Sequence, residues 1–313
     1  MEFQAKLLDV HRGLYLYGAT PPRMDSSEEK IYEIAEKLAA RLSKLDLDAI
    51  NVYDIQEEED RNQIPRPYPF LPTIDPRQYA NILKTLIGKE VINYKCVAHH
   101  PKASFEAWLS ESWEQFNIRY LSIVGGSTSK SVYPGPTLSQ AAQLVAAHRY
   151  DFTFGGVTIA ERHTSKGNEH LRLIEKSGWG MKFFTSQVVY QADATIQLLQ
   201  DYYRACQEQN VPPVRIILTF APCGASKTLQ FLRWLGVNIP TETEQAILSA
   251  QSPVGKSIDI CCSNLRRILD AIADQKAALG INVESVSIKK DEIDASVDLF
   301  YELQAILSSF YKR

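Results

Sequence analysis

The 313-residue sequence has no run of about 18 apolar residues, no run of five basic residues and no Cys-x-x-Cys spacing among its five cysteines. A transmembrane helix needs an apolar run of that length, and a formal net charge of −3 provides no general attraction for nucleic acid or anionic membranes. Odd, scattered cysteines are typical of buried thiols in a reducing compartment. The N-terminus lacks the apolar segment of a signal peptide. We therefore expect a cytoplasmic protein with no membrane or nucleic-acid partner and no metal site.

Short apolar segments alternate with helical patterns along the whole chain. Short strands separated by helices require parallel pairing, and no Gly-x-Gly-x-x-Gly motif follows a strand. Eight repeated units favour a closed (β/α)8 TIM barrel over an open doubly wound sheet. No boundary rich in Pro, Gly or Ser divides the chain, so the sequence predicts a single domain over residues 1–313. The predicted strands are Leu14–Tyr17, Ala49–Tyr53, Glu90–Val97, Tyr120–Val124, Phe152–Thr158, Met181–Ser186, Val214–Phe220 and Val283–Ile288.

The connection between strands seven and eight is longer than one helix requires. An extra helical segment is predicted at about 241–250, followed by a long amphipathic helix from about Val254 to Leu279. The fold class expected is thus an α/β protein, a single TIM barrel with an additional helical segment between strands seven and eight.

Polar side chains follow several predicted strands directly. Glu161 and His163 follow strand five, Gln187 follows strand six and Asp54 follows strand two. β/α barrels build their active sites from such strand ends. The amide of Gln187 offers both a donor and an acceptor, which suits the edge of a pterin or pyrimidine-like ring. Surface ion pairing is the alternative interpretation for Glu169 and Lys176 on the following helix, and also for Glu161 and His163.

Two glycines follow strand four, in the turn Gly125-Gly126-Ser127. Glycine lets the backbone approach a ligand closely, and the hydroxyl and N–H groups of this turn suit a phosphate or the edge of a ring. A plain tight turn is the alternative interpretation.

The segment from Gly155 to about Pro240 resembles methylenetetrahydrofolate reductases, which are single β/α barrels. In that family strand five ends in Pro-Glu-x-His, an acidic residue and a Lys follow on the next helix, and Ala-Gly-Ala and Thr-Gln come later. The corresponding residues here are Ala160-Glu161-Arg162-His163, Glu169, Lys176, Gly178-Trp179-Gly180 and Ser186-Gln187, with Pro21-Pro22 and Ala221-Pro222-Cys223-Gly224 as further matches.

This resemblance implies roles for individual residues. His163, Glu169 and Lys176 match positions that hold the ribityl and phosphate groups of a flavin. Gly125 and Gly126 match the turn against the flavin ring, and Gln187 matches the amide that binds the pterin. Either Phe231 or Leu232 falls where an aromatic residue stacks against nicotinamide and pterin.

Two departures from the family pattern concern the chemistry. Gly18 stands where the family has a glutamate that acts as the general acid, and Ser127 stands where it has an aspartate near the flavin. Asp54 and Glu161 are the predicted replacement acids. The polar loop after strand two also resembles that of a flavin-independent branch of the family, so FAD is left open as a cofactor.

The resemblance implies NAD(P)H-dependent reduction of 5,10-methylenetetrahydrofolate to 5-methyltetrahydrofolate, with or without FAD. Two alternatives stay open: a folate-dependent one-carbon transferase without net redox chemistry, and a catalytically silent protein that binds folate or flavin. In each case the expected partner is a tetrahydrofolate derivative. The sequence leaves the existence of a homo-oligomer open.

Overall fold

Eight short strands lie between the barrel interior and a layer of helices, so nearly every strand residue is buried. The computed structural model describes residues 2–57, 63–126, 132–275 and 277–312. All eight strands pair in parallel in chain order, and the first pairs with the last, which closes the barrel. This arrangement confirms the predicted (β/α)8 fold. The strands are β1 (Leu14–Ala19), β2 (Ala49–Val52), β3 (Glu90–Cys96), β4 (Tyr120–Val124), β5 (Thr153–Thr158), β6 (Phe183–Val188), β7 (Arg215–Phe220) and β8 (Leu279–Glu284).

The helices surround the barrel and connect consecutive strands. Three of them lie between β7 and β8, as the sequence predicted for this connection. The helices are α1 (Glu2–Leu8), α2 (Glu28–Leu42), α3 (Pro76–Ile87), α4 (Lys102–Glu114), α5 (Leu138–Ala146), α6 (Ala160–Lys166), α7 (Glu169–Gly178), α8 (Ala192–Glu208), α9 (Ser226–Trp234), α10 (Thr241–Leu248), α11 (Pro253–Ala271) and α12 (Lys290–Phe310). Within the described ranges, no helix combines the length and apolar character needed to cross a bilayer.

Local sequence signals set several helix ends. The Ser27 hydroxyl accepts a hydrogen bond from the Lys30 amide at the start of α2. Thr137 and Gln140 form a reciprocal capping box at the start of α5. Such caps satisfy amides that have no partner within the helix. Gly88 ends α3 with a φ of 70°, a left-handed conformation that glycine adopts at little cost.

Helix α1 closes the N-terminal end of the barrel, although the sequence interpretation did not predict a helix there. Phe3 packs edge-on against Tyr120, with ring centroids 4.7 Å apart. Together they belong to an inner apolar cluster that fills the lower half of the barrel, formed by Phe3, Leu7, Leu14, Leu16, Ala49, Ile92, Tyr120, Phe183 and Ile217.

The buried Arg215 fastens α1 to the strands. Its guanidinium donates to the carbonyl oxygens of Leu7 at 2.7 Å, Arg12 at 2.9 Å and Lys6 at 3.1 Å, and also to those of Asp9 and Leu279. A cation at the carboxyl end of a helix is stabilised by the helix dipole. Five carbonyl partners also compensate for the removal of the charge from water.

The boundaries of β8 differ from the prediction. The strand lies at Leu279–Glu284 rather than Val283–Ile288, and α11 ends at Ala271 rather than near Leu279. Residues such as Ala277 and Ala278 are compatible with a helix, so the local sequence pattern predicts a helix that is too long. Pairing with β1 and β7 fixes the position of β8, because Gly280 aligns with both Leu14 and Ile217.

We expect Arg215→Met to destabilise the protein by about 3–5 kcal/mol, because the five carbonyl groups lose a shared donor inside the barrel. Urea denaturation followed by circular dichroism measures this change. Arg267→Met removes an exposed arginine whose partner is Asp193 and serves as the control, with an expected loss below about 1 kcal/mol. Similar stabilities for the two variants would contradict the role given to Arg215.

Candidate functional site

The C-terminal ends of the eight parallel strands meet at one end of the barrel, which we call the barrel mouth. Strand alternation points every second side chain inward. In the lower half most of these side chains are apolar, whereas many of those nearer the mouth are polar. Eight of them form what we call the polar interior cluster: Asn51, Tyr53, Tyr94, Ser122, Thr185, Thr219, Asn282 and Glu284.

A directed chain of hydrogen bonds runs through this cluster. Asn51 Nδ2 donates to Asn282 Oδ1 at 2.9 Å, and Asn282 Nδ2 donates to the Tyr53 hydroxyl at 2.9 Å. The Tyr53 hydroxyl in turn donates to Oε2 of Glu284. Because each amide nitrogen can only donate, the direction of the chain is fixed and ends at the carboxyl group.

Gly18 leaves the space that this carboxyl occupies. In the β1 ladders Gly18 aligns with Asn51 on one side and with Glu284 on the other. A Cβ at position 18 would lie 2.6 Å from the Tyr53 oxygen and 2.9 Å from Cβ of Glu284. Both distances are shorter than normal van der Waals contact, so the Tyr53–Glu284 pair requires glycine here.

The electrostatic setting of Glu284 favours its protonated form. Burial raises the pKa of Glu284 above the ordinary glutamate value, while hydrogen bonds from Tyr53 and Asn282 oppose the rise. Tyr53 and Glu284 both retain partial solvent exposure, unlike Asn51 and Asn282. The pair therefore faces the barrel mouth, and a rise in the pKa of a carboxyl is the direction that suits a proton donor.

Asp54, the first predicted acid, lies at the mouth but points toward the helix layer. Its carboxylate accepts hydrogen bonds from the Cys96 amide at 2.9 Å and from Gln56 at 2.7 Å. Lys95 Nζ lies 3.7 Å away. These contacts join the ends of β2 and β3 and place the Asp54 carboxylate outside the polar interior cluster. Its role as proton donor remains a prediction that this geometry does not favour.

Glu161, the second predicted acid, lies in the first turn of α6, a short helix that the sequence interpretation did not predict. Its carboxylate accepts a hydrogen bond from the Asn238 amide at 3.2 Å, and burial raises its pKa. Glu161 and Gln187 line one narrow cavity on the helix side of the strands, together with Leu198, Leu199, Ile216 and Leu218. The two predicted residues are thus brought together, but away from Glu284.

Gln187 lies within an irregularity in β6, between Thr185 and Val188. Its amide nitrogen donates to the Leu235 carbonyl at 3.0 Å, and its oxygen accepts from the Val188 amide at 3.0 Å. The side chain is held at the rim of the barrel by these bonds. Contact between Gln187 and a pterin ring remains a prediction.

His163, Glu169 and Lys176 face the helix layer instead of the barrel mouth. His163 Nε2 lies 2.9 Å from Oδ2 of Asp201 on α8. The completely buried Glu169 lies 3.7 Å from Lys176 Nζ, which also donates to the Val157 carbonyl at 2.9 Å. These contacts engage the three side chains with protein partners, so the residues do not fit the predicted role of holding a flavin.

Gly125 and Gly126 lie at the end of β4, beside the mouth. A Cβ at Gly126 would overlap the Tyr133 ring at 2.3 Å, whereas the nearest atom to a Cβ at Gly125 is 4.0 Å away. Among the described residues, none approaches a Cβ at Gly125 more closely than this, and contact between Gly125 and a ligand remains a prediction. Ser127, predicted to contact the same ligand, lies outside the described residues.

Leu232 and Phe231 have different environments on α9. Leu232 is fully buried in the core, so the prediction that it stacks on a ligand is not supported by its position. Phe231 is partly buried and stacks on Trp234 with ring centroids 5.8 Å apart, and Tyr68 packs edge-on against it at 5.6 Å. This aromatic cluster joins the β2–α3 loop to α9, across the part of the rim that β1 and β8 form.

Glu292 occupies the N-terminus of α9. One oxygen accepts from the amides of Gly224 at 2.8 Å and Ala225 at 3.1 Å, and the other accepts from the Thr228 hydroxyl at 2.9 Å. Many barrels bind phosphate at a helix N-terminus after strands seven and eight. Here the buried Glu292 carboxylate takes the place of that anion.

The residues that sequence reasoning missed are Tyr53, Glu284 and their asparagine partners. A signal was present, because Ile-Asn-Val occurs in both β2 and β8, at 50–52 and 281–283. Asparagine is disfavoured inside strands, so its repetition marks an inward polar position. The displaced prediction of β8 placed Glu284 inside a strand instead of at its end. Over the described ranges, no three His, Cys, Asp or Glu side chains are placed to hold a metal ion.

Gly18→Ala should disrupt the mouth without changing any charge. The added methyl group must displace Tyr53 or Glu284, and overpacking of this kind costs about 1–3 kcal/mol. Thermal unfolding measures the loss, and Gly178→Ala is the control because no atom lies within 4 Å of a Cβ there. Equal melting temperatures for Gly18→Ala and the unaltered protein would show that the pair does not need this space.

Lys176→Met should destabilise the protein by about 3–5 kcal/mol, because it leaves Glu169 without its buried cation. Arg172 lies 3.6 Å from the other carboxylate oxygen but is partly exposed to solvent. The double variant Glu169→Gln/Lys176→Met removes both charges and should recover most of that loss. Urea denaturation of the two single variants and the double variant gives the coupling energy. Additive losses would contradict a buried ion pair.

Comparison with known proteins places this site in context. No protein-family model matches the chain, and no curated protein sequence matches it. A solved structure from Clostridium thermocellum aligns with a TM-score of 0.84 and 33% identity, over 97% of this chain and 99% of that chain. It is an uncharacterized protein that binds two copies of 5-methyl-5,6,7,8-tetrahydrofolic acid.

A second structure, a lyase/mutase candidate from Burkholderia cenocepacia J2315, aligns with a TM-score of only 0.41 and 12% identity, over 76% of this chain and 81% of that chain. These values are too low to support any conclusion about function. The alignment with the Clostridium thermocellum protein spans nearly the full length of both chains at 33% identity. The chain described here belongs to the same family as that Clostridium thermocellum protein.

Proposed function

We propose that this protein binds a reduced folate of the 5-methyltetrahydrofolate class at the barrel mouth and acts on it as an enzyme of one-carbon metabolism. The observation that carries the proposal is the ligand of the Clostridium thermocellum relative, which shares 33% of its residues with this chain. Ligands of β/α barrels bind at the C-terminal ends of the strands. The mouth is therefore the place to expect the folate.

The chemistry of the mouth supports a flat ring with donors and acceptors along its edges. Tyr53 and Glu284 offer a hydroxyl and a carboxyl that retain solvent exposure. Gly125 offers open backbone on the opposite part of the rim. The partly exposed rings of Tyr68 and Phe231 provide apolar surface against which an aminobenzoyl group could pack.

For the reaction, we propose NAD(P)H-dependent reduction of 5,10-methylenetetrahydrofolate to 5-methyltetrahydrofolate. A carboxyl with a raised pKa supports a step that needs a proton donor. FAD does not fit the residues that the family resemblance assigns to it. Lys176 and Glu169 are engaged with each other, and Glu292 occupies the helix N-terminus available for a phosphate. The proposed reaction therefore includes no flavin step.

Binding of folate without reduction is the second candidate. It is favoured by one observation, that the Clostridium thermocellum relative binds two copies of the methylated folate, which is the product of the proposed reduction. A one-carbon transferase without net redox chemistry, or a folate-binding protein, uses the same mouth. Oxidation of NAD(P)H distinguishes these candidates from the reductase.

We expect 5-methyltetrahydrofolate to bind with a dissociation constant of about micromolar order, equivalent to roughly 8 kcal/mol. Isothermal titration calorimetry measures this affinity. Val157→Trp should abolish binding, because Val157 aligns with the inward-pointing Thr185 near the mouth and the added ring fills it. Leu171→Trp, at an exposed position on α7, should bind like the unaltered protein.

Turnover is tested by the loss of NADH or NADPH absorbance with 5,10-methylenetetrahydrofolate, with FAD added and omitted. The expected result is oxidation at the same rate in both conditions. Absence of folate binding would remove the proposed function altogether. Tight folate binding with no oxidation of either coenzyme would retain the binding site and reject the reductase.

A further inference from the structure

The Tyr53–Glu284 pair is placed to take part in a reaction as well as to bind a ligand. We propose that Glu284 is the proton donor at the barrel mouth and transfers its proton to a ring nitrogen of the bound folate; this rests on the proposed function. Tyr53 is its positioning residue.

The hydrogen-bond chain determines which carboxyl oxygen is available. Tyr53 donates to Oε2 of Glu284, and Asn282 holds the Tyr53 hydroxyl in the orientation needed for that bond. The Tyr53 bond occupies Oε2, and the Glu284 side chain retains partial solvent exposure. We assign to Oε1 the proton that is transferred toward a ligand in the mouth.

The surroundings of Glu284 keep that proton in place before a ligand arrives. No ion pair within the described part of the chain involves Glu284. The titratable groups that face it are the phenols of Tyr53 after β2 and Tyr94 on β3, whose own pKa values are raised by burial. Tyr17 on β1 points to the helix layer, where its hydroxyl bonds to Ser296. Neutral phenols add no compensating positive charge, so burial dominates and raises the pKa of Glu284.

The position of the Glu284 carboxyl explains how β8 can supply an acid that β1 lacks at Gly18. Glu284 and Gly18 are register partners on adjacent strands, and Oε2 of Glu284 lies 3.0 Å from where a Cβ of residue 18 would be. A carboxyl from β8 thus reaches the space that a side chain on β1 would fill. Asp54 lacks this position, because its carboxylate bonds to the Cys96 amide on the outer side of β3.

The proposed step is balanced without any further reactant. The O–H bond at Oε1 breaks, an N–H bond forms on the folate, and the carboxylate that remains keeps its hydrogen bond from Tyr53. That bond stabilises the charged product, which is the positioning role of Tyr53. Water at the open mouth returns the proton to Glu284 when the ligand leaves.

The first test measures the affinity for 5-methyltetrahydrofolate as a function of pH. Binding that requires protonated Glu284 is constant below the raised pKa and falls about tenfold per pH unit above it. Glu284→Gln preserves the size and a donor but cannot titrate, so its affinity should not show this fall. Tyr53→Phe removes a bond that lowers the pKa of Glu284, so the fall should move to higher pH.

A purely structural role for the pair would not move this pH profile. Glu90→Gln is the matched control, because Glu90 is a strand glutamate at the opposite end of the barrel, paired with Lys84 at 2.7 Å. It should retain the profile of the unaltered protein. An unchanged fall in Glu284→Gln, or a profile that is flat in the unaltered protein, would overturn the proposal.

A second measurement needs no ligand. Infrared spectroscopy of the protein alone should show a protonated-carboxyl C=O band that persists above the ordinary titration range of glutamate and disappears in Glu284→Gln. Absence of that band would overturn the assignment even if folate binds. Failure of the unaltered protein to bind folate while the band is present would reject the proposed function and leave Glu284 as a neutral acid in the mouth. Where turnover is measurable, Glu284→Gln should lower kcat by about 10²- to 10⁴-fold.

Discussion

Closure of the barrel through the β1–β8 ladder is the constraint on which the site depends. It is the pairing that aligns Gly18 with Glu284, and the neighbouring ladder aligns Gly18 with Asn51. Side chains of paired residues in parallel strands point to the same side. One glycine between two polar strands therefore brings groups that are about 230 residues apart, such as Tyr53 and Glu284, within hydrogen-bonding distance.

The polar interior cluster is costly to bury, and its hydrogen bonds offset part of that cost, since Asn51 Oδ1 has no partner among the described residues. Asn51 and Asn282 are completely buried, yet each amide nitrogen has an acceptor inside the barrel. Partly satisfied buried networks are destabilising, whereas linked ones fix a single arrangement. The chain of donors uses the amide hydrogens to orient Tyr53, and Tyr53 orients the carboxyl. Rigidity at the floor of the mouth and the orientation of the Glu284 carboxyl at its surface thus have the same origin.

The sequence predicts the barrel well, because strand and helix periods are local properties. Seven of the eight strands lie where apolar runs occur, and α10 lies where the extra segment was expected. It is harder to predict whether a polar side chain at the end of a strand points into the barrel or toward the helices. Asp54 and Glu284 both end strands, but Asp54 points outward and Glu284 points inward. One residue of register decides this, and register depends on partners that are distant in the chain.

Resemblance to a family, applied residue by residue, likewise does not predict the direction in which a side chain points. His163, Glu169 and Lys176 match a motif in spacing, yet α6 and α7 direct them toward α8 and β5, where they form contacts within the protein. Gly18 departs from the motif, yet the space beside it contains a carboxyl from the next strand. In a closed barrel, inward positions on adjacent strands converge on the same volume. The position of a carboxyl in the barrel interior therefore matters more than the strand that carries it. Glu284 on β8 can occupy the space next to Gly18, where β1 has no side chain.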